Sequence, residues 1–265
     1  MASDLDPLRV AVVGAGPAGI YVADALISRA TTPVAVDLFD RLPTPYGLLR
    51  YGVAPDHLKM KSMVRALQRT LDDDRVRFLG NVSIGTDVTV AEMLADYHAV
   101  VYSFGASVDR RLGIPGESLP GSHPASTFVA WYSGHPDSTD AHFDLSATGV
   151  AVIGLGNVAL DIARVLLRNP EELAPTDVPD YVLDALRASA LTDLHIIGRR
   201  GPQYAKFTHK ELREIGELDG VAVHFDPAAL VGVPEADTPG VRHNLEVFRE
   251  WATRSPTTAA RRLHV

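Results

Sequence analysis

The sequence contains no cysteine. That absence rules out disulfides, thiolate zinc centres, iron–sulfur clusters held by the chain's own cysteines, and any Cys-x-x-Cys redox pair. Long apolar runs are missing too: none approaches the ~20 residues that a membrane-spanning helix needs. The first residues, Met1 to Pro7, have no basic segment leading into an apolar one. No secretory leader is therefore expected, and the chain is read as cytoplasmic. Positive charge is in deficit, and a net charge of −8 argues against nucleic acid as a general partner. No metal site is expected.

What remains is the composition of a globular enzyme, 46% hydrophobic and 22% charged over 265 residues, a length that suits two unequal domains. Two segments have the same grammar. Arg9–Val13 is a short β-rich run entering Gly14-Ala-Gly-Pro-Ala-Gly19; an Ala-, Leu- and Ile-rich helical stretch follows to Arg29, then a strand from Val34 to Phe39, ending at Asp40. The second copy runs from Gly149–Ile153 into Gly154-Leu-Gly-Asn-Val-Ala159, a helix to about Arg168 and, after a proline-bearing stretch with a short helix at Tyr181–Arg187, a strand at Leu194–Ile197. Between the copies, residues 43–55 carry three prolines and two glycines and predict a stiff, irregular loop. Residues 56–71 predict one basic helix with Met60, Met63, Val64 and Leu67 facing inward. Val76–Ile84 and Ala99–Ser103 predict strands. The predicted fold class is α/β, with two doubly wound, largely parallel dinucleotide-binding sheets. The domains are set at 1–108 and 109–265, with the Gly- and Pro-rich residues 113–124 near their boundary.

A glycine turn between strand and helix lets the backbone approach a pyrophosphate while the helix start offers free N–H groups. Gly14, Gly16 and Gly19 form such a turn, and Asp40 follows Gly19 by 21 residues, where a carboxylate can accept ribose hydroxyls. The bland alternative is a tight turn with a solvated Asp. The second copy ends in Ala159, a permitted variant, and after Ile197-Gly198 it carries Arg199-Arg200 in place of the acid. Paired guanidiniums would grip a 2′-phosphate that a carboxylate would repel. The two units should therefore hold different nucleotides, FAD in the first and NADP in the second. Thr208-His-Lys-Glu211 matches a helix capping box, so Glu211 is either a cap or a ribose contact.

The segment Pro43-Thr-Pro-Tyr-Gly-Leu-Leu-Arg-Tyr-Gly-Val-Ala-Pro-Asp-His57 resembles the loop that follows the acid of the FAD site in the adrenodoxin-reductase-like ferredoxin–NADP⁺ reductases. Gly80–Gly85, Ile114-Pro-Gly-Glu117, Gly156–Asp161, Gly198–Pro202, Phe207-Thr208 and Glu211–Glu214 continue that resemblance in order, over nearly the whole chain from Arg9. It implies FAD contacts at Ala18, Asp40, Leu48 and Ile84, the family's usual Glu being Asp at position 40. It implies an NADP pyrophosphate turn at Leu155, Gly156, Asn157 and Val158, a 2′-phosphate clamp at Arg199 and Arg200, and a further NADP contact at Glu211. His57 and Glu214 match residues near the nicotinamide–flavin junction; for His57 the alternative is the first residue of a helix capped by Asp56. Tyr46 stands where the family has another aromatic.

The resemblance implies a flavoprotein oxidoreductase passing electrons between NADPH and a ferredoxin-type iron–sulfur protein. Lys59, Lys61, Arg65 and Arg69 either meet that acidic partner or form a solvated face. Family members are longer, so the carboxyl-terminal part of the FAD domain is expected to be absent here. Two alternatives follow: a truncated nucleotide-binding fragment without turnover, or an electron-input subunit of a larger reductase or synthase. A thiol–disulfide reductase is excluded by the missing cysteines.

Overall fold

The computed structural model describes residues 6–106, 108–254 and 258–265. Residues 1–5, most of the segment read for a leader, lie outside that range. The chain divides into two compact units, Met1–Arg110 and Arg111–Val265.

In the first unit β1 (Leu8–Val13) is a run of small and β-branched residues covered on both faces. Val10 and Val12 join one apolar cluster, and Ala11 and Val13 join the other. α1 (Pro17–Arg29) starts with Pro at its first position, where the missing N–H costs nothing. It buries Gly19, Ile20 and Ala23. β2 (Val34–Phe39), α2 (Val64–Leu71), β3 (Val76–Leu79), α3 (Val90–Asp96) and β4 (Ala99–Tyr102) follow. The strands are all parallel, in the order β3-β2-β1-β4. Strand order thus reverses at β1, and the crevice at the carboxyl ends beside β1 is where open α/β sheets take ligands.

Three expectations need correction here. The single helix over 56–71 is broken into one turn, Leu58–Lys61, and α2. Met60 and Met63 are exposed, while Leu67 is buried. The Ser62 hydroxyl donates to the Lys59 carbonyl at 2.7 Å, a local bond that competes with helix continuation. β3 ends at Leu79 rather than Ile84, because the chain turns through Asn81 with φ 59°. Finally, His57 precedes the turn at Leu58–Lys61 as its N-cap and is not its first helical residue.

In the second unit α4 (Ala125–Tyr132) precedes β5 (Gly149–Ile153), α5 (Asn157–Leu167), α6 (Asp180–Arg187) and β6 (Asp193–Ile197). α7 (His209–Ile215), β7 (Val221–His224), α8 (Pro239–Thr253) and β8 (Arg261–His264) complete it. These strands are again all parallel, in the order β5-β6-β8-β7. Leu194, Ile196 and Leu263 share one core with Leu160 of α5, Leu212 of α7 and Phe248 of α8. Arg261 closes the carboxyl end of α5, donating from Nη1 to the carbonyls of Leu167 and Arg168 at 2.9 and 3.1 Å.

On the opposite face Ile153 and Ile197 are exposed. There the imidazoles of His195, His264 and His224 stack across β6, β8 and β7, with ring centroids 4.3 and 5.1 Å apart. Hydrogen bonds from Arg262, then His264 and Thr192, hold the Asp193 carboxyl far below the usual carboxylate range. Among the described residues no helix is long and apolar enough to cross a membrane.

Candidate functional site

Both glycine turns leave their strands in the same way. Gly14 donates its N–H to the Phe39 carbonyl at 2.7 Å, and Gly154 donates to the Ile197 carbonyl at 2.9 Å. Asp40 and Gly198 therefore occupy equivalent places, one residue past the second strand of each unit.

In the first unit Asp40 faces the turn. Its Oδ2 accepts the Ala15 N–H at 2.8 Å and its Oδ1 accepts the Leu42 N–H at 2.9 Å. Each oxygen keeps a lone pair that a hydroxyl could use. Gly16 caps α1, and the first N–H groups of a helix have no partner inside it. Ala18, at that helix start, is exposed, while Gly14 and Gly19 are buried beneath it.

The proline-bearing loop packs directly on this turn. Tyr46 donates its N–H to the Ala15 carbonyl at 2.8 Å. A Cβ on Gly47, whose φ is 45°, would stand 2.9 Å from the Gly16 Cα. Position 47 thus requires glycine on two counts, conformation and room. The Tyr46 ring is buried beneath, and its hydroxyl donates to Gln68 of α2. Burial pushes its phenol pKa up. This arrangement holds Leu48, 71% exposed, at the mouth of the turn. Ile84 is brought in by a separate route: Val82 donates its N–H to the Asp40 carbonyl at 2.9 Å, and Ile84 bridges to Val88. The structure therefore gathers Gly14, Gly16, Ala18, Gly19, Asp40, Leu48 and Ile84. Gly47 was not legible as a packing requirement, although its loop was.

In the second unit no acid follows the strand. The Leu155 side chain lies over Gly198, and Arg199 and Arg200 come next, both exposed. Among the described residues no carboxylate pairs with either arginine. Gly156 caps α5; Asn157 begins it, and Val158 in its first turn is 52% exposed. The Asn157 side chain is already engaged, since its Oδ1 accepts the Thr208 N–H at 2.8 Å.

That bond ties the start of α7, the helix that carries Glu211, to the start of α5. The Thr208 side chain makes no capping bond, so the capping-box reading of this segment is corrected; a full capping box forms at Thr89 and Glu92 instead. Glu214, half-buried in the last turn of α7, lies 3.5 Å from Lys210 Nζ. Leu155, Gly156, Asn157, Val158, Arg199, Arg200 and Glu211 thus belong to one neighbourhood. His57 belongs to the first unit and Glu214 to the second.

Comparison with known proteins bears on the fold and on the cofactor class. A family model described as FAD-NAD(P)-binding matches residues 11–147. The NADPH-ferredoxin reductase FprA of Mycobacterium tuberculosis is 46% identical over 265 residues, spanning 97% of this chain and 58% of the relative. The mitochondrial NADPH:adrenodoxin oxidoreductase of Arabidopsis thaliana is 50% identical over 229 residues, spanning 86% of this chain and 47% of the relative. Among solved structures, M. tuberculosis FprA in complex with NADPH superposes with a TM-score of 0.94 at 44% identity, covering 98% of this chain and 59% of that one. The chain thus spans little more than half the length of FprA and less than half that of the plant relative. It belongs to the FAD-NAD(P)-binding family, and over nearly its whole length it is similar to these NADPH-dependent ferredoxin and adrenodoxin reductases.

Proposed function

We propose that this chain carries two nucleotide sites of a flavoprotein oxidoreductase that passes electrons between NADPH and a ferredoxin-type iron–sulfur protein. The first unit takes FAD and the second NADP. One observation carries the reading: the same strand–turn–helix unit occurs twice, with a carboxylate bound into one turn and, at the other, a glycine covered by Leu155 and followed by two exposed arginines.

A flavin, when bound, accepts a hydride from a nicotinamide and releases electrons singly. The chain's own part is binding and orientation. The turn at Gly14–Gly19 and the start of α1 face the FAD pyrophosphate, Asp40 accepts the ribose hydroxyls, and Leu48 and Ile84 supply apolar contact. Leu155, Gly156, Asn157 and Val158 face the NADP pyrophosphate, Arg199 and Arg200 hold its 2′-phosphate, and Glu211 contacts its ribose. The family's pattern assigns His57 and Glu214 to the nicotinamide–flavin junction. The proposal includes a cytoplasmic location, which cell fractionation checks.

Purified chain, supplied with FAD, desalted and scanned for flavin absorbance, tests the first assignment. Titration with NADPH and NADH tests the second. A colourless protein that binds both nicotinamides equally would remove both assignments. A yellow protein that reduces a ferredoxin with NADPH would extend the reading to the full reaction. Nucleotide binding without that reduction would favour a binding fragment or an electron-input subunit.

A further inference from the structure

Tyr204 is an exposed aromatic that neither packing nor hydrogen bonding accounts for. Its side chain is 48% exposed, and among the described residues its hydroxyl bonds nothing. What covers one face of its ring is a guanidinium: the Arg200 Cζ stands 4.3 Å from the ring centroid.

The ring itself is held in place. Tyr204 closes a 3₁₀ turn, Pro202–Tyr204, and donates its N–H to the Gly201 carbonyl at 3.0 Å. Pro202, Ala205 and Phe207 around it are buried. Lys206 then donates its N–H to the Leu155 carbonyl at 2.7 Å, tying this turn to the glycine turn. Buried Asn244 of α8 donates from Nδ2 to the Phe207 carbonyl at 2.9 Å, fixing the segment from the other side.

A guanidinium attracted to the face of a ring is held over it while its N–H donors stay available to a phosphate. An arginine on an exposed loop otherwise samples many rotamers, and binding must stop that motion. We propose that Tyr204 is a positioning residue for the second site: it presents Arg200 to the 2′-phosphate and so sharpens the preference for NADPH over NADH. This rests on the assignment of NADP to the second unit.

The test uses the whole chain and two probes without nicotinamide, 2′,5′-ADP and 5′-AMP, titrated by calorimetry. Tyr204→Ala should raise the Kd of 2′,5′-ADP about two- to five-fold, the range of an exposed cation–π contact. It should leave the Kd of 5′-AMP unchanged. Tyr204→Phe keeps the ring and should bind both probes like the parent. In the Arg200→Ala background, Tyr204→Ala should have no further effect, because nothing remains to be positioned.

Equal weakening of both probes by Tyr204→Ala would overturn the proposal, since the ring would then stack on adenine itself. So would a loss in Tyr204→Phe matching that in Tyr204→Ala, or no change in either. If the Arg199→Ala/Arg200→Ala variant leaves 2′,5′-ADP binding intact, the NADP assignment falls and the platform with it. If that variant weakens binding and Tyr204→Ala does not, only the platform falls.

Discussion

The Leu155 side chain lies so close over Gly198 that a Cβ built at Gly198 would stand 2.2 Å from Leu155 Cδ1 and 2.5 Å from its Cγ. The whole isobutyl group, and not only its tip, would have to move to admit a side chain there. Gly198→Asp should therefore destabilise the second unit by about 1–3 kcal/mol, as overpacking does. Adding Leu155→Ala should restore much of the melting temperature but not NADPH binding, because the new carboxylate would face the 2′-phosphate. Calorimetric melting and NADPH titration of both variants separate the two effects. Recovery of NADPH affinity in the double variant would count against a 2′-phosphate at this place.

On the proposed assignment the arginine pair carries the cofactor preference. Each charge-assisted hydrogen bond contributes about 1.5–3 kcal/mol. Arg199→Ala with Arg200→Ala should weaken NADPH by roughly two or more powers of ten. NADH affinity should hardly change. Equal loss of both nucleotides would mean that the arginines do not meet a 2′-phosphate.

Asp40 has a structural task beside its proposed binding one. Its carboxylate takes two backbone N–H groups, from Ala15 and Leu42, so Asp40→Ala leaves both without an acceptor. The first unit should lose about 2–3 kcal/mol of stability along with its FAD affinity. Asp40→Asn keeps one acceptor oxygen and should lose less of each. NADPH binding by the second unit should persist in both variants. Flavin retained through gel filtration, measured by absorbance, gives the comparison; undiminished retention in both would reduce Asp40 to an ordinary strand end.

Acid sensitivity should centre in part on Asp37. Burial alone would raise its pKa, but hydrogen bonds from Arg77 and Tyr97, with the charges of Arg77 and Arg9, outweigh burial and hold it below the ordinary value. The folded chain then binds this proton less readily than the unfolded chain. Its stabilising effect is complete above the unfolded carboxylate pKa, about 4, and is lost as pH falls through the lower folded value. Asp37→Asn should cost about 1 kcal/mol at pH 7, discounted for the exposed Arg77, and the difference from the parent should shrink as pH drops below about 4. A difference constant with pH would show that Asp37 contributes through shape rather than charge.

Much of this was legible in the sequence, and the reasons differ by residue. The two turns stand out because few residue types satisfy a strand, a sharp turn and a helix start in succession, and Asp40 and Arg199-Arg200 were found by counting onward from them. The break at Ser62 was not seen, since Met60, Val64 and Leu67 keep helical spacing whether or not the helix is continuous; there the Ser62 hydroxyl takes the Lys59 carbonyl and the backbone bonds tighten to three-residue spacing. Thr208 and Glu211 satisfy a capping pattern, yet the Thr208 N–H goes to Asn157, a partner 51 residues away. The Gly47 contact with Gly16 and the Tyr204 platform are likewise tertiary. Their sequence traces, a glycine after Tyr46 and an aromatic four places past Arg200, gain meaning only once the chain is folded.

The opposite chemistry at Asp40 and Gly198 has a consequence for how the chain would load. On the proposed assignment, a ribose bearing a phosphate would be repelled by Asp40 at one turn and attracted by Arg199 and Arg200 at the other. A nucleotide at the wrong turn would thus meet the wrong charge. Sorting would then rest on the charge at each address, a misplaced nucleotide leaving faster than a correct one.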